Sequence, residues 1–263
     1  MGGTIGIIGG NGALGGAIAE GLLASGIVAE GDLWVSSRSG TGPRFSGAEA
    51  LRVTGDSRAL VAACETVILS VPPATAGEIS IRAEGHTVIS VMAGITLERL
   101  KDIAGTERVI RAMSSPAAAR RLAYSPYCPG FGATAEDRAE AARVLGAVGL
   151  TDAVPDEDQL DRFTAITGPV PGFVAACAAA MKAHAVKAGI APGVADRAVR
   201  QLFHAAGVIM AEGASPEEAV QEMIDYAGTT AAGLTVLKDG PFEAAMDAAL
   251  EAAYRRAKMI GRG

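Results

Sequence analysis

Thr4-Ile5-Gly6-Ile7-Ile8-Gly9-Gly10-Asn11-Gly12-Ala13-Leu14-Gly15, near the start of the chain, decides the fold. Its first five residues form a short apolar run, which predicts a buried strand of a parallel sheet. Glycines follow at once, then a helical pattern through Ile18, Leu22 and Leu23 that stops at Gly26. The spacing G-x-G-x-x-G falls on Gly10, Gly12 and Gly15. In that pattern one glycine makes the turn, one lets backbone approach a pyrophosphate, and one permits tight helix–strand packing. Strand, glycines and helix stand in the order that dinucleotide binding requires, which a purely structural glycine turn would not need. Gly10, Asn11, Gly12, Ala13 and Leu14 are therefore the expected cofactor contacts.

Working outward, the second strand, Asp32-Leu33-Trp34-Val35-Ser36, ends in Ser37-Arg38-Ser39. A site selective for NAD places a carboxylate at this strand end to bond the ribose 2′-hydroxyl. Here the end carries hydroxyls and an arginine, so Ser37 and Arg38 point to a 2′-phosphate and to NADP. A solvated loop arginine is the alternative. Further strands are predicted at Thr66–Val71, His86–Val91 and Arg108–Met113. Their ends place Val71, Pro72, Met92 and Ala93 on the carboxyl edge of the sheet, where cofactor and substrate meet in such folds. A less clear strand lies near Ala123–Pro126, and Glu136–Leu145 reads as a helix. Leu150–Val154 is expected to close a dinucleotide-binding domain over residues 1–155.

From Asp156 the pattern changes to helix after helix, giving a second domain over residues 156–263. A long kinked, buried helix is expected from Gln159 to Ala188, then helices over Val194–Glu212, Pro216–Ile224, the glycine–threonine stretch, and Phe242–Met259. The fold class is α/β: an N-terminal Rossmann-type, doubly wound, mostly parallel sheet followed by an all-α C-terminal dimerisation domain. Hydrophobic residues make up 49% of the chain but aromatics only 4%, so its cores must be built from Ala, Val, Leu and Ile. About a hundred residues cannot bury five largely apolar helices alone, so a second copy of the chain is the expected cover.

The closing stretch Ala227-Gly228-Thr229-Thr230-Ala231-Ala232-Gly233-Leu234 is a small-residue turn feeding a helix. Such a start offers free N–H groups and a positive dipole end to a carboxylate, or it is an ordinary capped helix.

Taken together these stretches resemble the pyrroline-5-carboxylate reductase family nearly end to end. The likeness rests on the N-terminal fingerprint, Val35–Ser39, Ser90-Val91-Met92-Ala93-Gly94-Ile95, Val109–Met113, Asp156-Glu157-Asp158, Thr164–Gly168 and, most specifically, Ala227–Leu234. It implies NADP-dependent reduction of a cyclic imine, 1-pyrroline-5-carboxylate to proline, by a homodimer whose active sites each draw on two chains. It also implies that Gly228, Thr229 and Thr230 hold the substrate carboxylate and imine nitrogen. Four departures stand out. The family has Ser-Pro-Gly-Gly-Thr-Thr where this chain has Asp225-Tyr226-Ala227-Gly228-Thr229-Thr230. Met113-Ser114-Ser115-Pro116 replaces a Met-Pro-Asn-Thr-Pro run. Thr167-Gly168-Pro169-Val170-Pro171 replaces a Ser-Gly-Ser-Gly-Pro turn, and the glycine loop carries about one extra residue relative to the family form. An aspartate at 225 repels a carboxylate unless it turns away or a cation intervenes.

Thr230 is the expected hydrogen-bond partner of the imine nitrogen. Asp225 is a candidate substrate contact and Tyr226 a candidate proton donor, or else a packed loop tyrosine. His184 and His204 read as core or interface residues, His86 as structural, and Lys182 does not match the flanking pattern of catalytic lysines in related hydroxy-acid dehydrogenases. No metal cluster is expected from the spacing of the cysteines Cys64, Cys128 and Cys177, which fit reduced thiols of a cytoplasmic protein. A net charge of −6 with interleaved signs excludes a basic nucleic-acid surface. No basic segment precedes the first apolar run and prolines interrupt the later one, so neither signal peptide nor membrane span is expected. Two other functions remain compatible with the sequence: a reductase of the same fold acting on a different imine or small carbonyl, and a nucleotide-binding protein without turnover.

Overall fold

The computed structural model describes residues 3–45 and 47–260. The chain forms two compact units, one running to Val170 and resuming at Glu251, the other spanning Pro171–Leu250.

Among the described residues the first unit holds nine strands: β1 (Ile5–Ile8), β2 (Leu33–Ser36), β3 (Arg52–Thr54), β4 (Thr66–Leu69), β5 (Thr87–Ser90), β6 (Val109–Ala112), β7 (Ala123–Tyr124), β8 (Tyr127–Pro129) and β9 (Gly149–Leu150). Seven form one sheet in the order β3-β2-β1-β4-β5-β6-β8, parallel except that β8 runs antiparallel to β6. Alternate residues feed two cores. Ile5, Ile7, Leu33, Val35, Ile68 and Ile110 pack with α1 (Ala13–Ser25) and α4 (Ala135–Gly146). Ile8, Val67, Leu69, Val88 and Val109 pack with α2 (Ser57–Ala63) and α3 (Leu97–Ala104). Helices thus cover both faces, the condition under which a parallel sheet is stable. A Cβ on Gly6 would lie 2.3 Å from Leu60 Cδ2, so glycine there is what lets α2 settle on the sheet.

Two strand expectations need correction. β3 carries no apolar run, and two of its three residues are exposed, so it left no periodic signal. The sheet is closed by Tyr127–Pro129, not by Leu150–Val154. Leu150 pairs instead with Tyr124 in a separate two-stranded sheet, and Ala153 makes only an isolated bridge to Tyr127. Pro129 lacks an N–H, and an edge strand is where a sheet tolerates that loss.

The amino edge of the sheet is tied by charge. Asp137, fully buried at the start of α4, accepts from Thr87 and from both Nε and Nη2 of Arg108, at 3.0 and 2.7 Å. Burial pushes the Asp137 carboxyl up, but the bonds from Arg108, Thr87 and Thr134 outweigh it and hold it far below the usual carboxylate range.

The expected helix from Gln159 to Ala188 is two helices, α5 (Glu157–Ile166) and α6 (Gly172–Lys187), separated where Pro169 and Pro171 remove N–H donors. Helix α5 belongs to the sheet unit, so the compact units divide later than residue 155. Arg111, 3% exposed at the end of β6, reaches across to Glu157 (2.8 Å) and Asp161, and Leu160 packs on Val154 and Cys128. The last part of α10 (Phe242–Ile260) also lies on this unit. There Tyr254 donates to Asp158 at 2.7 Å, Lys258 pairs with the same carboxylate, and the Arg162 guanidinium stacks 4.1 Å from the Tyr254 ring centre.

The second unit is helical throughout. Helix α6 packs on α7 (Pro192–Glu212), and α8 (Pro216–Asp225) on α9 (Thr229–Asp239). Lys182 on α6 pairs with Asp196 on α7 at 2.6 Å, and Arg200 adds a second contact at 2.7 Å. These two cations lower the Asp196 carboxyl to about 2. Helix α6 is not buried as the sequence suggests. Ala195 is the one buried residue between 171 and 250, and His184 and His204 are both exposed.

Candidate functional site

The turn between β1 and α1 is built as a phosphate cradle. Its left-handed residue is Gly9, with φ +87°, one position before the glycine expected to make the turn. A Cβ on Gly9 would sit 2.4 Å from the Ser70 oxygen, one on Gly10 2.7 Å from Val35, and one on Gly15 2.5 Å from the Gly9 oxygen. Only glycine fits these three positions without moving backbone or core. The amides of Gly9 and Gly10 both bond the Ser36 oxygen, at 2.9 and 3.2 Å, which fixes the loop to β2. Gly12 caps α1 without any side-chain hydrogen bond, leaving the first N–H groups of the helix open. An uncapped, glycine-walled helix start is a fitting seat for a pyrophosphate.

Beside this turn lies a cleft of about 610 Å³ that brings together Asn11, Gly12, Ser37, Arg38, Val71 and Pro72. It also gathers residues the sequence reading missed, among them Asp56, Ser57, Arg58, Thr75 and Glu78. They follow the short strand β3 or sit in the 3-10 segment after Pro72, where no motif marks them. Beside Arg38, hydroxyls form a chain. Asn11 Nδ2 donates to Thr41 Oγ1 (3.0 Å), which bonds Ser39 Oγ (2.6 Å), which in turn contacts Ser37 Oγ (3.2 Å). Arg38 faces Glu78 at 3.7 Å with both side chains exposed, so the guanidinium is loosely held and open to exchange for an anion.

A second cavity, of about 320 Å³, lies past the ends of β5 and β6. Leu14, Val91, Met92, Ala112, Met113 and Leu160 give it apolar walls, and Ala93, Ser114 and Thr164 also line it. Leu14, Met92 and Ala93 are thus brought together here, while Gly10 and Ala13 line neither cavity. An apolar slot joined by sequence to a phosphate cradle suits the flat nicotinamide end of a dinucleotide.

In the helical unit, α8 ends at Asp225 and α9 begins at Thr229. Ala227 turns the chain with φ +55°, a conformation in which a Cβ is strained. Gly228 caps α9 without a side-chain bond, so the N–H groups of Thr229 and Thr230 face outward. Among the described residues the Thr230 hydroxyl has no hydrogen-bond partner, and Tyr226 is 87% exposed rather than packed. Asp225 accepts from Gln221 Nε2 at 2.7 Å, one turn back on its own helix.

The remaining candidates are structural. Burial pushes the Cys64 thiol up to about 12, and burial with Glu157 and Asp156 also raises Cys128, so neither is a nucleophile. His86 Nδ1 contacts the Cys64 oxygen at 2.9 Å, and Lys182 is engaged by Asp196. Among the described residues no cluster could hold a metal, and no helix is long and apolar enough to cross a membrane.

Comparison with known proteins agrees with the fold. A family model described as pyrroline-5-carboxylate reductase dimerisation matches residues 157–260, and one described as NADP oxidoreductase coenzyme F420-dependent matches residues 4–94. Pyrroline-5-carboxylate reductase 3 of Danio rerio is 33% identical over 98% of this chain and 91% of its own length. Pyrroline-5-carboxylate reductase 2 of Bacillus subtilis is 30% identical over 95% of this chain and 93% of its own. The crystal structure of Plasmodium falciparum pyrroline carboxylate reductase with NADP bound superposes with a TM-score of 0.81 at 21% identity, covering 98% of both chains.

Proposed function

We propose, for a chain that belongs to the pyrroline-5-carboxylate reductase family, that it reduces 1-pyrroline-5-carboxylate to proline with NADPH. As a member of that family it is an oxidoreductase acting on a C=N bond. The observation that carries the proposal is the uncapped start of α1 behind Gly9, Gly12 and Gly15, with its two adjoining cavities.

When bound, the cofactor supplies the hydride, and the protein supplies orientation, exclusion of water and the proton. The amides at the start of α1 hold the pyrophosphate, with Gly10, Asn11, Gly12 and Ala13 around it. Ser37 and Arg38 take the ribose 2′-phosphate, since β2 ends without an acid that would favour a free 2′-hydroxyl. Val71 and Pro72 flank the ribose, and Leu14, Met92 and Ala93 wall the nicotinamide slot.

The substrate carboxylate is received by the open amides of Thr229 and Thr230 at the Gly228 cap, and the Thr230 hydroxyl bonds the imine nitrogen. Tyr226, exposed beside that cap, is placed to deliver the proton. Asp225, which replaces the family serine, is bonded to Gln221 on its own helix rather than to the residues of the cap. The working form is a homodimer joined through the C-terminal helices, and it acts in the cytoplasm.

The test is NADPH oxidation with a panel of cyclic imines that do and do not carry a carboxylate. Turnover of 1-pyrroline-5-carboxylate well above that of unsubstituted 1-pyrroline supports the reading. A preference for an amine-bearing imine would give Asp225 a recognition role and overturn the substrate. Absence of oxidation with every imine, despite tight NADPH binding, would leave a nucleotide-binding protein.

A further inference from the structure

The cavity at the ends of β5 and β6 is apolar except at few points, and the hydrogen bonds each of these already makes fix what it can offer a ligand. Ser114 Oγ lies 2.9 Å from Ser125 Oγ, and either could donate on distance alone. Ser125 is fully buried, does not line the cavity, and among the described residues its hydroxyl has no other partner. A buried hydroxyl proton without an acceptor is costly, so Ser125 donates and Ser114 accepts. The Ser114 proton is then free to point into the cavity. Thr164 is the converse case. Its hydroxyl donates to the Leu160 oxygen at 2.8 Å, as a helical threonine does, which leaves lone pairs as its only offer to a ligand. Arg111 also lines the cavity, with one N–H of each terminal nitrogen donated to Glu157 and Asp161 and its side chain 4% exposed.

The cavity therefore presents one hydroxyl donor and one hydroxyl acceptor between apolar walls. We propose that these two residues orient the nicotinamide carboxamide, Ser114 donating to its carbonyl oxygen and Thr164 accepting from its amino group. The inference rests on the reading that this cavity takes the nicotinamide of a bound dinucleotide. It assigns a role to Ser114, which stands in a stretch where the family pattern has no serine. Both carboxamide ends would be buried here, and an unmatched one would be left without a partner.

Binding to the full-length protein tests the pair without any turnover. Three ligands are compared by titration: NADP, its 3-acetylpyridine analogue, in which a methyl replaces the amino group, and ADP-ribose 2′-phosphate, which has no nicotinamide. Ser114→Ala should weaken NADP and the analogue alike, by about 3- to 10-fold, because both retain the carbonyl. Thr164→Val should weaken NADP by a similar factor and abolish the wild-type preference for NADP over the analogue. Neither change should alter affinity for ADP-ribose 2′-phosphate, which also reports that the variant is folded. Equal losses for all three ligands, or a preference for NADP that persists in Thr164→Val, would overturn the assignment. Failure of the wild type to bind either NADP or ADP-ribose 2′-phosphate would instead overturn the dinucleotide reading itself.

Discussion

The two compact units draw on the same aliphatic residues and use them in opposite ways. In the sheet unit Ile5, Ile7, Leu33 and Ile110 are completely buried, while in the helical unit Ile209 and Val236 are 70% and 71% exposed in the single chain. Burying one such side chain contributes about 1.5–3 kcal/mol, so the sheet unit carries its own stabilisation and the helical unit leaves most of its share unrealised. The sheet also closes its charges internally, as at Asp137 and Arg111. The helical unit shows surface pairs such as Lys182–Asp196, which contribute little. One unit is finished by its own chain. The other is half of something, as its match to a dimerisation family describes.

That contrast can be broken at several points. The largest effect is expected in the sheet unit. Arg108→Ala leaves the Asp137 carboxylate buried without its cation and should destabilise by about 3 kcal/mol, the low end for a broken buried pair because Arg108 is partly exposed. Urea unfolding measures it. Since the folded Asp137 carboxyl is held below its unfolded value, its contribution is complete above about pH 4 and is lost as pH falls toward the folded value. The wild type should lose stability on acidification through that range, and Asp137→Asn should lose correspondingly less.

Next comes the α9 start, where chemistry is assigned to the unit that contributes least to stability. Thr230→Val keeps volume and β-branching, and should lower turnover about 10- to 100-fold with unfolding and NADPH affinity nearly unchanged. Steady-state kinetics beside a binding titration separates the two. Unchanged turnover would make the stretch a cap alone.

Arg38→Ala should weaken NADPH by about 1.5 kcal/mol and leave NADH nearly untouched, because a single exposed charged bond is removed. Equal wild-type affinity for the two cofactors would contradict the assignment. The smallest expected effect is a gain: Ala227→Gly relieves a left-handed alanine and should add about 1 kcal/mol, read as a rise in melting temperature.

How much of this was legible depends on where periodicity operates. Strands such as Ile5–Ile8 and Thr66–Leu69 are short, almost wholly apolar runs buried on both faces, and glycines after β1 mark a turn that few other residues could make. The sheet and the glycine turn could therefore be read directly. Arg52–Thr54 could not, because two of its three residues are exposed, and the antiparallel Tyr127–Pro129 could not, because its two buried residues stand between Pro126 and Pro129 and form no longer apolar run. The left-handed glycine was misplaced by one residue, since Gly9, Gly10 and Gly12 overlap in any spacing rule and only the φ at Gly9 distinguishes them. Cleft residues such as Arg58 and Glu78 come from turns whose position depends on the folded sheet. The break at Pro169–Pro171 was visible as a kink, but the hold of Arg111 on α5 joins residues 46 or more apart, and no local pattern reports it.

Sedimentation of the full-length protein across micromolar concentrations, with Ile209→Asp alongside, asks whether a second copy of the chain completes the helical unit. The expected result is a wild-type dimer with full helical content, and for Ile209→Asp a shift toward monomer in which the helical signal falls while the sheet unit still binds NADPH. A wild-type monomer that is fully helical, binds NADPH and turns over 1-pyrroline-5-carboxylate would contradict it.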